Sequence, residues 1–151
     1  MICGMGLDSE HIAFTSRLDG SLQIYALNLA DNSIAQLTQK TDDVRLPDWS
    51  RYPAWSPTGM QILYTGHSQF TDALQIWVMS DAGRANVRLV QNDVAYWDFQ
   101  PVWGSDGRSI FFSETRGAQM LGKLMEFNYE ERANPNAAQV KNGNYATNVT
   151  V

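Results

Sequence analysis

The chain is expected to be all-β, built from about three four-stranded antiparallel units in tandem. Three observations carry this. The motif Pro53-Ala54-Trp55-Ser56-Pro57-Thr58-Gly59 returns as Pro101-Val102-Trp103-Gly104-Ser105-Asp106-Gly107, a shift of 48 residues. Each copy runs into a short apolar segment, Ile62-Leu63-Tyr64 and then Ile110-Phe111-Phe112, at the same shift. The rest of the chain reads as short β-rich runs separated by turn residues. A fixed period of this length is the mark of a repeat architecture.

Each element follows from local chemistry. The turn Ser56-Pro57-Thr58-Gly59 joins a first strand to a second: proline presets one turn dihedral and glycine takes the left-handed position that ends it. Then come Leu74-Gln75-Ile76-Trp77-Val78-Met79, a turn at Ser80-Asp81-Ala82-Gly83, and Asn86-Val87-Arg88-Leu89-Val90. The same series opens the chain as Ile12-Ala13-Phe14-Thr15, Leu22-Gln23-Ile24-Tyr25-Ala26-Leu27, a turn at Ala30-Asp31-Asn32-Ser33, and Ile34-Ala35-Gln36-Leu37-Thr38. Ile12 maps to Ile62 at a shift of 50, and Ile24 to Ile76 at 52, which places an insertion in the loop from Gly66 to Ala73.

The third unit holds Ile110 to Phe112, Leu124-Met125-Glu126-Phe127, and a weaker strand from Arg132 to Val140. There Pro135 stands in place of Val87, and a proline fits only a strand end or edge. The tail Tyr145-Ala146-Thr147-Asn148-Val149-Thr150-Val151 alternates. It reads as the inner strand of a further unit, or as a replacement for the first strand largely missing at the start.

A unit of four strands and about 50 residues is the size of one propeller blade. The expected architecture is therefore a single propeller segment over residues 1–151, with approximate blades at 5–52, 53–100 and 101–151. Closed propellers use at least four blades. Three leave an incomplete, open propeller, expected to be a fragment of a longer one or to be closed by a second copy of the chain or by a partner.

Composition narrows the function. The formal charge of −5 and the scattered eleven Lys and Arg residues disfavour sequence-independent nucleic-acid binding, which needs a basic patch. No apolar stretch reaches the roughly 20 residues that span a bilayer, so no membrane insertion is expected. The N-terminus has neither the basic region nor the apolar run of a signal peptide. One cysteine, Cys3, permits no intrachain disulfide.

Chemistry-bearing motifs are sparse. Gly66-His67-Ser68-Gln69-Phe70 lacks the last glycine of a nucleophile elbow and lies between two strands. His11 and His67 are too few for a metal site built on histidine, and they read as loop residues. Asp42, Asp43 and Asp48 match no calcium-loop spacing and read as an acidic solvated loop. Asn148-Val149-Thr150 is a glycosylation sequon of the kind chance supplies. No catalytic residue, metal or cofactor is expected.

Aromatic residues give the stronger signal. Leu46-Pro47-Asp48-Trp49-Ser50-Arg51-Tyr52 and Val94-Ala95-Tyr96-Trp97-Asp98-Phe99-Gln100 occupy equivalent places and read as connections from one blade's outer strand to the next blade's inner strand. In a propeller these share a face with the loop between the second and third strands, which carries His67, Phe70 and Asp72 here and Arg116 in the third unit. The expected partner-binding set is Trp49, Arg51, Tyr52, His67, Phe70, Asp72, Tyr96, Trp97, Asp98, Phe99 and Arg116. Trp, Tyr and Arg are the side chains that anchor interfaces. Trp49 and Trp97 read equally as residues filling the space between blades, whereas Trp55, Trp77 and Trp103 lie inside strands and belong to the core.

The ordered motifs Pro53 to Gly59, Ile62-Leu63-Tyr64, Ile76-Trp77-Val78-Met79 and Leu89 resemble the TolB-type β-propeller repeat, a relative of the WD-repeat blade. The first unit adds Ile12 to Arg17, Ile24-Tyr25-Ala26-Leu27 and Leu37-Thr38. The resemblance covers roughly residues 5–130. Thr58 departs from the Asp that Asp106 keeps, and Gly104-Ser105 replaces Ser-Pro. The resemblance implies a non-enzymatic protein-interaction scaffold in a bacterial envelope, periplasmic or extracellular, without a cofactor. It also admits an accessory subunit of a larger complex, a carbohydrate-binding or carbohydrate-cleaving propeller, and the accessory propeller of a peptidase.

Overall fold

The computed structural model describes residues 4–5, 10–43, 45–68, 72–89, 96–116 and 123–129. Among them lie eleven strands: β1 (Gly4–Met5), β2 (His11–Ser16), β3 (Gln23–Asn28), β4 (Ile34–Gln36), β5 (Trp49–Trp55), β6 (Gln61–Ser68), β7 (Ala73–Ser80), β8 (Val87–Arg88), β9 (Tyr96–Trp103), β10 (Ser109–Arg116) and β11 (Lys123–Asn128). They form three antiparallel sheets, each wound in chain order: β1 to β4, β5 to β8, and β9 to β11. The fold is all-β, a partial and open propeller. The fourth strand expected at 132–140 and the tail at 145–151 lie outside the described residues.

The turn chemistry acts as expected at the hairpin between first and second strands. Gly59 and Gly107 have φ of 74° and 66°, the left-handed region that glycine enters without penalty. The departure at Thr58 has a local account. Asp106 accepts from the Arg108 and Ser109 N–H groups at 2.9 and 2.8 Å. The Thr58 hydroxyl instead pairs with the Ser56 hydroxyl at 3.0 Å.

The second sheet is covered on both faces. Ile62, Tyr64, Trp77 and Met79 pack with Ile24, Leu37 and Trp55 against the first sheet. Leu63, Ile76, Val78 and Leu89 pack with Ile110, Phe112 and Met125 against the third. This is why β7 is an almost unbroken apolar run: alternate side chains enter two different cores. Tyr64 is fully buried and satisfies its hydroxyl by donating to Asn86 Oδ1 at 2.7 Å.

One expectation about the strands is corrected. Trp49 and Trp97 do not lie in connections between blades; each sits in a first strand, β5 or β9. The prolines explain the difference. Pro53 and Pro101 mark a β-bulge in mid-strand, a place where a missing ladder donor is tolerated, not a strand start. The residue before each proline is left-handed, Tyr52 at φ 58° and Gln100 at φ 55°. Their N–H groups turn to the sheet beneath: Tyr52 donates to Thr15 Oγ1 and Gln100 to Thr65 Oγ1, each at 3.2 Å. The bulge thus re-aims a backbone donor from its own ladder to the neighbouring sheet. His67 is likewise in a strand and not in an inserted loop, because β6 continues through Ser68 and pairs His67 with Leu74 and Trp49.

Candidate functional site

The start of β5 and the end of β6 bring five of the expected residues together. Trp49 and His67 are cross-strand partners, and their rings stack at 4.9 Å with planes 3° apart. The Arg51 guanidinium lies over the ring of Trp49 at 4.7 Å and over that of Tyr52 at 4.8 Å. Residues 49 and 51 share a side of the strand, and the bulge swings Tyr52 back to meet them. Among the described residues no carboxylate pairs with Arg51, and its buried Nε has no hydrogen-bond partner. Two aromatic faces hold the cation in place of an ion pair.

His67 is held at both ring nitrogens. Asp48 Oδ1 lies 2.7 Å from Nδ1 and Asp72 Oδ1 lies 3.0 Å from Nε2. The imidazolium, a donor at both positions, is the form that satisfies both carboxylates. Burial opposes that charge, but the hydrogen bonds and negative charges of Asp72 and Asp48 outweigh it and raise the His67 pKa. Asp72, 92% exposed, is the outer end of this chain of contacts, and its φ of 50° turns it back towards His67. Asp48 is anchored from behind: its N–H donates to the His67 carbonyl at 3.2 Å and its carbonyl accepts from Gln23 Nε2 at 3.1 Å.

Linkage gives a direct expectation. A histidine whose folded pKa is raised contributes stability that is full below about pH 6.5 and fades as pH rises through the folded value. Thermal melts should therefore fall across that window by about 1–2 °C more in the wild type than in His67→Gln, a small difference because the site is wet. A wild-type profile parallel to that of His67→Gln would show that the two aspartates do not hold an imidazolium.

The third sheet repeats the place without counterparts of Arg51 and His67. Tyr96 pairs across with Arg116, Trp97 with Thr115 and Asp98 with Glu114. Phe99 stands where Arg51 stands in the second sheet, and Thr115 where His67 stands. Tyr96, Trp97 and Phe99 are half-buried and Arg116 is exposed. Asp98 is fully buried and so does not line the face. Burial, and then the charge of Glu114, push its carboxyl up to about 8. Phe70 lies outside the described residues.

The sequence offers Asp48 only as a calcium ligand or a loop acid; its role beside His67 follows from the β5–β6 register, which places it next to Trp49. Asp43, another acid of that loop, is engaged by Arg45 at 2.7 Å. Among the described residues no three His, Cys, Asp or Glu side chains converge as metal ligands. A cleft of about 200 Å³ between the first and second sheets is lined by Thr38, Leu46, Pro47, Ser50, Tyr64 and Asn86 among others.

No family model and no curated protein matches the chain. Solved structures do. Putative TolB from Agrobacterium tumefaciens superposes with a TM-score of 0.70 at 18% identity, over 85% of this chain and 46% of that one. TolB from Acinetobacter baumannii gives 0.67 at 16% identity, over 83% and 29%. An oligogalacturonate lyase in complex with manganese gives 0.63 at 16% identity, over 83% and 35%. Propellers of peptidases match as well. The chain spans less than half the length of these three structures. Its fold is that of TolB-like and related β-propeller domains, present as three successive sheets of an open ring.

Proposed function

We propose that the chain is a non-enzymatic protein-interaction scaffold. It binds a protein partner through the end of the second and third sheets that displays Trp49, Arg51, Tyr52, His67 and Asp72 beside Tyr96, Trp97, Phe99 and Arg116. The observation that carries this reading is Arg51, clamped between two aromatic rings and lacking a carboxylate of its own among the described residues. A guanidinium already ordered by stacking loses little side-chain freedom on binding and presents a fork that matches a carboxylate. An acidic group of the partner completes it. The resemblance to TolB supports a periplasmic or extracellular setting for the same reading.

The test is cross-linking from a photoreactive residue placed at Asp72, identification of the adduct, and a measured affinity for the purified partner. Arg51→Ala should weaken that affinity by about 10- to 100-fold. An unchanged affinity would sink the reading. A second reading, sugar binding, is favoured by the half-buried Trp97 and Tyr96 together with the likeness to a lyase of oligogalacturonate. Glycan binding abolished by Trp97→Ala would establish it instead.

A further inference from the structure

Successive sheets pack alike, and one place departs from the pattern. Between the second and third sheets, the ring of Tyr129, just after β11, meets Trp103 in a T-shaped contact at 5.3 Å. Its hydroxyl accepts from Gln61 Nε2 at 2.9 Å. One unit earlier the equivalents of Tyr129, Trp103 and Gln61 are Asp81, Trp55 and His11, at shifts of 48, 48 and 50. The backbone agrees with this alignment. The Tyr129 N–H donates to the Arg108 carbonyl at 2.5 Å, and the Asp81 N–H to the Met60 carbonyl at 3.0 Å. Asp81 therefore carries a carboxylate where the third sheet carries a phenol ring. Ala26 likewise stands where the larger Val78 stands one unit later, at a shift of 52.

The smaller side chains leave a cleft of about 430 Å³ between the first and second sheets, lined by His11, Ala26, Trp55, Thr58 and Asp81 among others. That is the size of a small-ligand site. Trp55, at the end of β5, packs against the cluster that holds Ile62 and Met79 and so points towards the first sheet. Asp81 is exposed, and among the described residues no hydrogen bond or ion pair engages its carboxylate. At the other end of β5 the chain supplies its own cation, Arg51, to the rings of Trp49 and Tyr52. At this end an indole and a carboxylate stand together, and no described residue brings them a cation.

We propose that this cleft binds a guanidinium group, stacked on Trp55 and forked onto the Asp81 carboxylate, in the place that Tyr129 fills one unit later. A planar cation suits both walls. The face of an indole attracts it, and its paired N–H donors match the two oxygens of a carboxylate. An ammonium supplies the charge but neither the flat face nor the fork. The net charge of −5 favours the approach of a cation. This inference is independent of the binding reading above, since the two sites lie at opposite ends of β5 and share no residue.

Calorimetric titration of the full chain with N-acetylarginine methylamide tests it. Saturable binding is expected, with a Kd of about 1–10 mM for so small a probe. The neutral citrulline analogue should bind about tenfold or more weaker, and Asp81→Asn should weaken the arginine probe by a similar factor. Asp81→Tyr restores the ring that the next unit uses, so it should abolish binding and melt no lower than wild type. The melting temperature of Asp81→Asn serves as the folding control. The peptide Gly-Gly-Arg-Gly-Gly separates the sources: tighter binding than the capped amino acid assigns the site to an arginine of a protein, and equal binding assigns it to a free guanidinium compound. Absence of saturable binding by both probes overturns the proposal. So does equal binding of the citrulline analogue, or arginine affinity unchanged in both Asp81→Asn and Asp81→Tyr.

Discussion

Asp98→Asn is expected to stabilise the protein at pH 7 by about 1–3 kcal/mol and to flatten its stability profile between about pH 4 and pH 8. Asp98 is completely buried in β9, at the position where the second sheet has Ser50, and faces Glu114 across the strand pair. Its carboxyl titrates at about 8 in the folded chain. In the unfolded chain an aspartate titrates near 4. Between those values the folded form holds a proton that the unfolded form has released, so stability declines as pH rises. The full difference corresponds to about 5–6 kcal/mol, and the expected effect is smaller because protein interiors respond with a larger effective dielectric than a dry medium. Asparagine keeps the shape and removes the titration. Urea unfolding at pH 4.5, 7 and 8 reads both effects. If Asp98→Asn is weaker than wild type at pH 7 and the wild-type profile is flat, Asp98 is a satisfied anion.

Gly66→Ala should cost about 2–3 kcal/mol and disorder the candidate site with it. A Cβ at position 66 would stand 2.5 Å from Pro47 Cγ and 2.8 Å from Trp77 Cδ1. Neither neighbour can swing aside: Pro47 is a buried ring and Trp77 fills the core between the first two sheets. Gly66 directly precedes His67 and Pro47 directly precedes Asp48, so relief of the clash pulls apart the two residues whose side chains meet at 2.7 Å. Chemical denaturation and the stability difference between pH 6 and pH 9 check this together. A change below about 0.5 kcal/mol would mean that Pro47 moves freely and does not set the geometry of Asp48.

The repeat made the sheets legible. Gly59 and Gly107 occupy their left-handed positions, Trp77 is in the core, and Ile24 and Ile76 fill equivalent places in successive interfaces. The strand starts were not legible. A proline looks like the boundary of a strand, and nothing at Pro53 or Pro101 announces that a bulge carries the ladder past it. The donors of Tyr52 and Gln100 were hidden for the same reason, since a bond between sheets depends on which strand stacks on which. Within the site, the grouping of Trp49, Arg51, Tyr52, His67 and Asp72 followed from blade geometry. Asp48 did not, because its partner lies across a register that the supposed loop at 66–73 concealed. Asp98 escaped because a carboxylate in a strand of aromatics gives no sign of how deeply its strand is covered.

The double covering of the second sheet has a consequence for how the molecule comes apart. Among the described residues the first and third sheets touch only the second, so free energy is shared along a line and not around a single centre. Such a system resembles a one-dimensional chain of coupled elements, in which each member is stabilised by its neighbours and the ends are least constrained. The middle sheet is the last to lose order, and either outer sheet opens while the other interface stays intact. Partial opening at one end is then a low-lying excitation of the native state, and the slowest-exchanging amides are expected in β6 and β7.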